Sequence, residues 1–197
     1  MDAGSTGVSR PNWFLALPLP RQADWHQASL TAPPELRRFH PADLHLTVAF
    51  LGSCGAARAE AAWLALAPRA SAATTVSAAS WRALGPAHQP SAYGLLLDQG
   101  RVELEQLLAC WGASALEAAG CADSRRPPLP HVTLLRPRRQ EAAHWTQPMQ
   151  QWMATAPLPS QPLRLDHLAL YTWSCERRER LFRIVHQRPL DSPTWMP

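Results

Sequence analysis

The pattern His-x-Thr-x occurs twice in the chain, as His45-Leu46-Thr47-Val48 and as His131-Val132-Thr133-Leu134. Both copies lie in short apolar runs of strand length. Side chains alternate along a strand, so His45 and Thr47 share one face while Leu46 and Val48 take the other. His131 and Thr133 do the same. Each strand therefore offers one imidazole and one hydroxyl to a cleft and sends its apolar residues into a core. Two facing imidazoles are what phosphodiester cleavage needs. A neutral one accepts a proton from the attacking nucleophile, and a charged one donates to the leaving oxygen. Histidine serves both roles because it titrates near neutral pH. The Thr47 and Thr133 hydroxyls can donate to phosphate oxygens, where negative charge must be held. The chemistry calls for no metal and no cofactor. The carboxylates nearest the two strands, Asp43 and Asp123, do not repeat with the motif, and a metal centre wants more ligands than this.

The elements around the motifs can be read from breakers and periodicity. Asn12 to Pro20 reads as a strand stopped by its prolines, and residues 21–31 as a short helix ahead of Pro33-Pro34. Leu44 to Leu51 is the first His-bearing strand. Ala56 to Ala67 is an Ala-rich helix ended by Pro68. Thr74 to Leu84 and Ser91 to Leu97 read as strands. Arg101 to Ala119 is the longest amphipathic pattern, stopped by Gly120. His131 to Leu135 is the second His-bearing strand, closed by Pro137. Glu141 to Ala154 reads as a helix, and Leu163 to Tyr171 and Leu181 to Val185 as late strands. This order predicts an α+β fold of two pseudo-duplicated lobes, each a small, mostly antiparallel sheet with helices, around a central cleft. The two halves fall at about 12–85 and 86–190, within a single domain over 12–190 and between tails at 1–11 and 191–197.

Composition excludes several classes. No run of 18 or more apolar residues exists, so no membrane span is expected. The first residues carry Asp2 and no apolar block, which argues against a secretory leader and for a cytoplasmic protein. The four cysteines form no C-x-x-C pair and read as free thiols. All 19 basic residues are Arg, each a planar fork suited to phosphate. Net charge is only +4, too weak for a dense duplex-binding stripe. Arginines flank the second motif as Arg125-Arg126 and Arg136. Strict alternation puts Arg136 on the face opposite His131, so it reaches a cleft only through a bulge.

The paired motifs resemble those of the 2H phosphoesterases. Ala42-Asp43-Leu44-His45-Leu46-Thr47-Val48-Ala49-Phe50-Leu51-Gly52 resembles the N-L-H-L-T-L-A-F-L-G segment of the bacterial RNA 2′,3′-cyclic phosphodiesterases, also called 2′-5′ RNA ligases. Arg126-Pro127 through Pro130-His131-Val132-Thr133-Leu134-Leu135-Arg136 is similar to that family's R-P-F-x-P-H-h-T-L-x-R. Trp13 to Leu17 and Leu168 to Ser174 resemble its first and late strands. The resemblance implies hydrolysis of RNA or nucleotide 2′,3′-cyclic phosphate ends to a 2′-phosphate, with reversible 2′-5′ ligation of tRNA halves as a second activity. It implies His45 as general acid toward the leaving O3′, His131 as base toward water, Thr47 and Thr133 on the phosphate oxygens, and Arg136 and Arg126 as added positive charge. Two departures stand out. Pro128-Leu129 replace the family's aromatic before P-H, and Pro18 stands where an acidic residue is usual. Two other functions remain open on the sequence: an RNA-end binding module without useful turnover, and a phosphodiesterase for another cyclic phosphate such as ADP-ribose 1″,2″-cyclic phosphate.

Overall fold

The computed structural model describes residues 10–67, 73–122 and 127–190 of the 197-residue chain. Its strands are β1 (Trp13–Pro18), β2 (Arg37–Arg38), β3 (His45–Gly52), β4 (Thr74–Val76), β5 (Ala78–Leu84), β6 (Ala92–Leu97), β7 (His131–Arg136), β8 (Leu163–Leu165), β9 (His167–Trp173) and β10 (Phe182–Pro189). The helices are α1 (Ala56–Leu66), α2 (Arg101–Ala118) and α3 (Thr146–Met153). Eight strands form one antiparallel sheet in the order β10-β9-β1-β3-β7-β6-β5, with β2 added against β7. β4 and β8 pair separately.

This sheet has two arms. β10-β9-β1-β3 make one, and β7-β6-β5 with β2 make the other. A single residue pair, Leu46 with Val132, joins β3 to β7. Both side chains are fully buried, so the seam is sealed on the core side and opens on the other. The expected α+β architecture with antiparallel strands around a cleft is the one observed. Its division along the chain differs from a split at about residue 85. β5 forms a hairpin with β6, since strands close in sequence usually pair. β9 takes the free edge of β1. The first arm thus draws on both ends of the described chain, and the second on its middle.

β1 is buried on both faces because it is central. Trp13, Leu15 and Leu17 join the main core under the helices, while Phe14 and Ala16 form a smaller cluster with Ala169 and Tyr171 on the opposite face. α2 buries Leu104, Leu107, Leu108, Trp111, Ala115 and Leu116, while Val102, which the periodicity places on the same stripe, is exposed in the first turn. It ends at Gly120 in the left-handed region, φ 58°, with Cys121 N–H donating to the Leu116 carbonyl. From α1, the Arg58 guanidinium donates to the carbonyls of Ala119 and Gly120 and pins the two helices together.

Several boundaries move for local reasons. Residues 21–31 hold only a 3-10 stretch, Asp24–Ser29, around buried Trp25, whose indole N–H donates to the Gln161 carbonyl. The helix read from Glu141 starts at Thr146 instead. Pro148 has no N–H to give a preceding turn, so it fits only in the first turn of α3. Thr74 to Leu84 breaks at Ser77 into β4 and β5, which belong to different sheets, and Leu163 to Tyr171 breaks at Asp166. The tails expected at 1–11 and 191–197 fall almost wholly outside the described residues.

Candidate active site

The seam brings the two motifs together. His45 and Thr47 from β3, and His131 and Thr133 from β7, line one cleft of about 460 Å³. Alternation holds through the first three residues of each motif and then breaks in the same way on both strands. On β3 the pairing with β1 runs from Thr47–Ala16 to Ala49–Leu15 and skips Val48. On β7 the pairing with β6 runs from Thr133–Gly94 to Leu135–Tyr93 and skips Leu134. Each is a bulge that places two residues on the core side and turns the next one back to the cleft. Phe50 and Arg136 are the residues so redirected, and both line the cleft. The bulge that strict alternation required for Arg136 is therefore present. Its partner strand must come close at that point. A Cβ on Gly94 would stand 2.4 Å from the Val132 carbonyl oxygen, so no larger residue fits there.

Both imidazoles are held by the backbone at the same place. His45 Nδ1 lies 2.7 Å from the Asp43 carbonyl oxygen, and His131 Nδ1 lies 2.7 Å from the Leu129 carbonyl oxygen. A carbonyl only accepts, so Nδ1 carries the hydrogen in each ring. Nε2 is then the free nitrogen: a lone pair when the ring is neutral, a donor when it is charged. That is the arrangement a general base or acid requires. Neither Thr47 nor Thr133 has a hydrogen-bond partner among the described residues, which leaves both hydroxyls for a ligand.

The surroundings of the two rings differ. His45 stacks on Phe14 at 4.8 Å, lies 5.4 Å from the Tyr171 ring and meets Phe182 edge-on at 5.6 Å. Burial among these rings lowers its pKa from 6.5 to about 4, against opposing help from the Asp43 carbonyl and carboxylate. His131 and Arg136 add smaller depressions through their charge. Asp43 is fully buried behind the ring. Its carboxylate accepts from the Leu181 N–H at 2.7 Å and from the Arg180 guanidinium at 3.3 Å. It is thus a positioning residue, fixing the loop whose carbonyl holds His45. Near His131 the walls are aliphatic instead. Pro127, Pro128 and Leu129 face Phe50 and the Leu108–Leu116 side of α2 across a shallower groove that shares Thr47 and His131.

Arg136 extends over the Phe39 ring, 5.6 Å from its centroid. Arg126 lies outside the described residues, as does Asp123. Arg38, upstream of the first motif, is occupied by the carbonyls of Ser29, Leu30 and Ala32. Arg37 stands directly opposite Arg136 across the β2–β7 pair. Positive charge therefore gathers beside the second motif even where the sequence places it before the first. The remaining histidines stay away from the cleft lining: His40 caps the turn before β3, His167 pairs with Asp166, and His186 pairs with Glu60. Trp81 is buried and donates to the Pro157 carbonyl, so it offers no stacking face. Tyr171 is fully buried as a wall of the His45 pocket. Phe50 is the exposed ring at the site, and sequence reading passed over it because strict alternation sends Ala49 to the cleft in its place. The Asp43–Arg180 pair spans 137 positions and has no local signal in the sequence. Among the described residues, no three His, Cys, Asp or Glu side chains gather as metal ligands, and no helix is long and apolar enough to cross a membrane. None of the four cysteines forms a disulfide among the described residues.

No protein-family model and no curated protein matches the chain. Solved structures do. Escherichia coli LigT complexed with 3′-AMP matches over 93% of this chain and 100% of its own, at 25% identity and TM-score 0.70. A phosphoesterase structure matches over 93% of this chain and 99% of its own, at 25% identity and TM-score 0.69. A Thermus thermophilus protein, 18% identical with TM-score 0.65, shares the fold. The fold is thus shared with LigT and with a phosphoesterase over nearly the whole of this chain, and both H-x-T-x strands meet in one cleft, in line with the resemblance to the 2H phosphoesterases carried by the two motifs.

Proposed function

We propose that the protein is a metal-independent phosphodiesterase that opens 2′,3′-cyclic phosphate ends of RNA or nucleotides to 2′-phosphates. The observation that carries this reading is the pair of imidazoles in one cleft, each with Nδ1–H tied to a backbone carbonyl and Nε2 left free. His131 takes the proton of the attacking water. His45 donates to the departing O3′. The Thr47 and Thr133 hydroxyls and the Arg136 guanidinium hold the phosphate oxygens as charge builds. Arg126, beside the second motif in sequence, adds positive charge in the same reading. The exposed face of Phe50 offers a stacking surface to the terminal base.

A donor must carry a proton, and burial keeps His45 neutral in the free protein. The substrate supplies the missing attraction. An anion about 4 Å away at an effective dielectric of about 20 is worth roughly 4 kcal/mol, or about three pKa units. That lifts His45 from about 4 to near neutrality when the phosphate arrives. Proton and substrate are then taken up together, and the acid is charged only while a phosphate is present.

The LigT structures with 3′-AMP, NADP+ and ATP support a nucleotide ligand for this cleft. In this reading the protein works in the cytoplasm on RNA ends, tRNA halves included, and 2′-5′ ligation is the same ring opening with a 5′-hydroxyl in place of water: P–O5′ forms, P–O3′ breaks, and O3′ takes the proton from His45. The test is product analysis with a cyclic mononucleotide in the presence of a chelator. Phosphorus NMR is expected to show the 2′-phosphate. A predominant 3′-phosphate reverses the orientation, and no turnover in chelator that returns with a divalent metal overturns the mechanism.

A further inference from the structure

At the mouth of the cleft, three guanidiniums converge from three elements. Arg136 ends β7, Arg37 sits opposite it on β2, and Arg177 comes from the turn between β9 and β10. Each is aimed by its own neighbour. Arg136 lies over Phe39, and Arg177 lies over Trp173 with 4.1 Å between Cζ and the ring centroid. Arg37 donates to the Arg177 carbonyl at 2.8 Å, which ties β2 to the β9–β10 turn. Among the described residues none of the three has a carboxylate within ion-pair distance. The arrangement carries a cost. Like charges directly opposite on paired strands repel. Arg136 is pushed below its ordinary pKa by burial first, and then by the charges of Arg37 and Arg177. An anion at this point would relieve that repulsion, and the planar forks suit phosphate oxygens.

Arg136 and Arg177 line the cleft with His45 and His131, while Arg37 is not part of that lining and pairs with Arg136 on the neighbouring strand. We propose that Arg37 and Arg177, joined to the catalytic cleft through Arg136, form a second subsite for a phosphate one nucleotide away from the one being cleaved. The preferred substrate is then a cyclic end that carries another phosphate on its 5′ side, rather than a lone nucleoside cyclic phosphate. This rests on the nucleotide reading of the cleft but not on its turnover, so binding can test it separately.

The experiment is calorimetric titration at low salt with 3′-AMP, adenosine 3′,5′-bisphosphate and the dinucleotide ApAp. The bisphosphate is expected to bind the unaltered protein at least tenfold more tightly than 3′-AMP. In Arg37→Ala and in Arg177→Gln that gain is expected to fall below threefold. Arg177 is exposed on a turn, so its variant keeps the fold even if the strand variant does not. A gain with ApAp as well assigns the subsite to an RNA strand, and a gain with the bisphosphate alone assigns it to a terminal phosphate. Equal affinity for 3′-AMP and both longer ligands, or a gain that survives both substitutions, overturns the proposal. A bisphosphate gain in a protein that turns over no cyclic nucleotide leaves the subsite standing and removes the phosphodiesterase.

Discussion

The strand carrying His45 and the strand carrying His131 are built alike. Each holds its imidazole by a carbonyl two residues upstream, places Thr two residues on, and bulges to return a third side chain to the cleft. Their surroundings are unlike. Three aromatic rings and a buried Asp43–Arg180 pair enclose His45, while aliphatic residues and open solvent flank His131. The third side chain is Phe50 on one strand and Arg136 on the other. Local backbone geometry holds both imidazoles in the same way, with Nδ1 tied and Nε2 free. The rings packed around His45 disfavour its charged form.

Removing either ring tests the shared half of that comparison and has the largest expected effect. His45→Ala and His131→Ala are each expected to lose about 10²–10⁴-fold in turnover of a cyclic mononucleotide, with thermal melts close to the parent protein. The double variant is expected to be little worse than either single one, because the pair acts as a unit. A substrate with an activated leaving group, such as bis(p-nitrophenyl) phosphate, separates the roles. It needs no acid, so it should recover activity in His45→Ala and not in His131→Ala. Recovery in the opposite variant exchanges acid and base.

The redirected side chains come next. Arg136→Ala is expected to lower kcat/KM by roughly 10–100-fold, the worth of a hydrogen bond to a charged group. Phe50→Ala should cost less than about tenfold and act on KM, as loss of a stacking face does. Similar losses in kcat from both would show that the two bulges serve equivalent functions.

Enclosure of His45 is tested through pH. Its folded pKa of about 4 lies below the unfolded value of 6.5, so the unfolded chain binds more protons between those limits. Stability from this group is therefore complete above pH 6.5 and is lost as pH falls toward 4. The loss is at most about 3 kcal/mol. Urea unfolding of the parent and of His45→Gln across that range should show the smaller pH slope in the variant. The smallest change is Phe182→Asn, which admits water beside the ring. It should move the His45 titration, followed by NMR, part of the way back toward 6.5. An unmoved midpoint means that burial is not what depresses it.

The two reactive strands were legible because the motif repeats and because alternation in a strand is a strong rule. Arg136 shows where that rule stops. From sequence it belongs to the wrong face, and only the register against β6 reveals the skipped Leu134. The arms were legible as two antiparallel halves but not in their membership, since nothing local in β9 says that its partner is β1. The wall around His45 was hidden for the same reason: Phe14 is far in the chain from Tyr171 and Phe182 and meets them only through strand order.

That strand order has a consequence for synthesis. Ribosomes deliver β3 with His45 long before the segment from β9 to β10. Tyr171, Arg180 and Phe182 therefore reach β1 and Asp43 only after the strands from β1 to β8 have been made. Until then β1 has an unpaired edge and Asp43 has neither its guanidinium nor the Leu181 amide. A nascent chain halted before β9 would hold both histidines, both threonines and Arg136, yet lack the enclosure that sets the first histidine apart. In such a chain the His45 ring would lie open on two of its three aromatic sides, held by the Asp43 carbonyl alone.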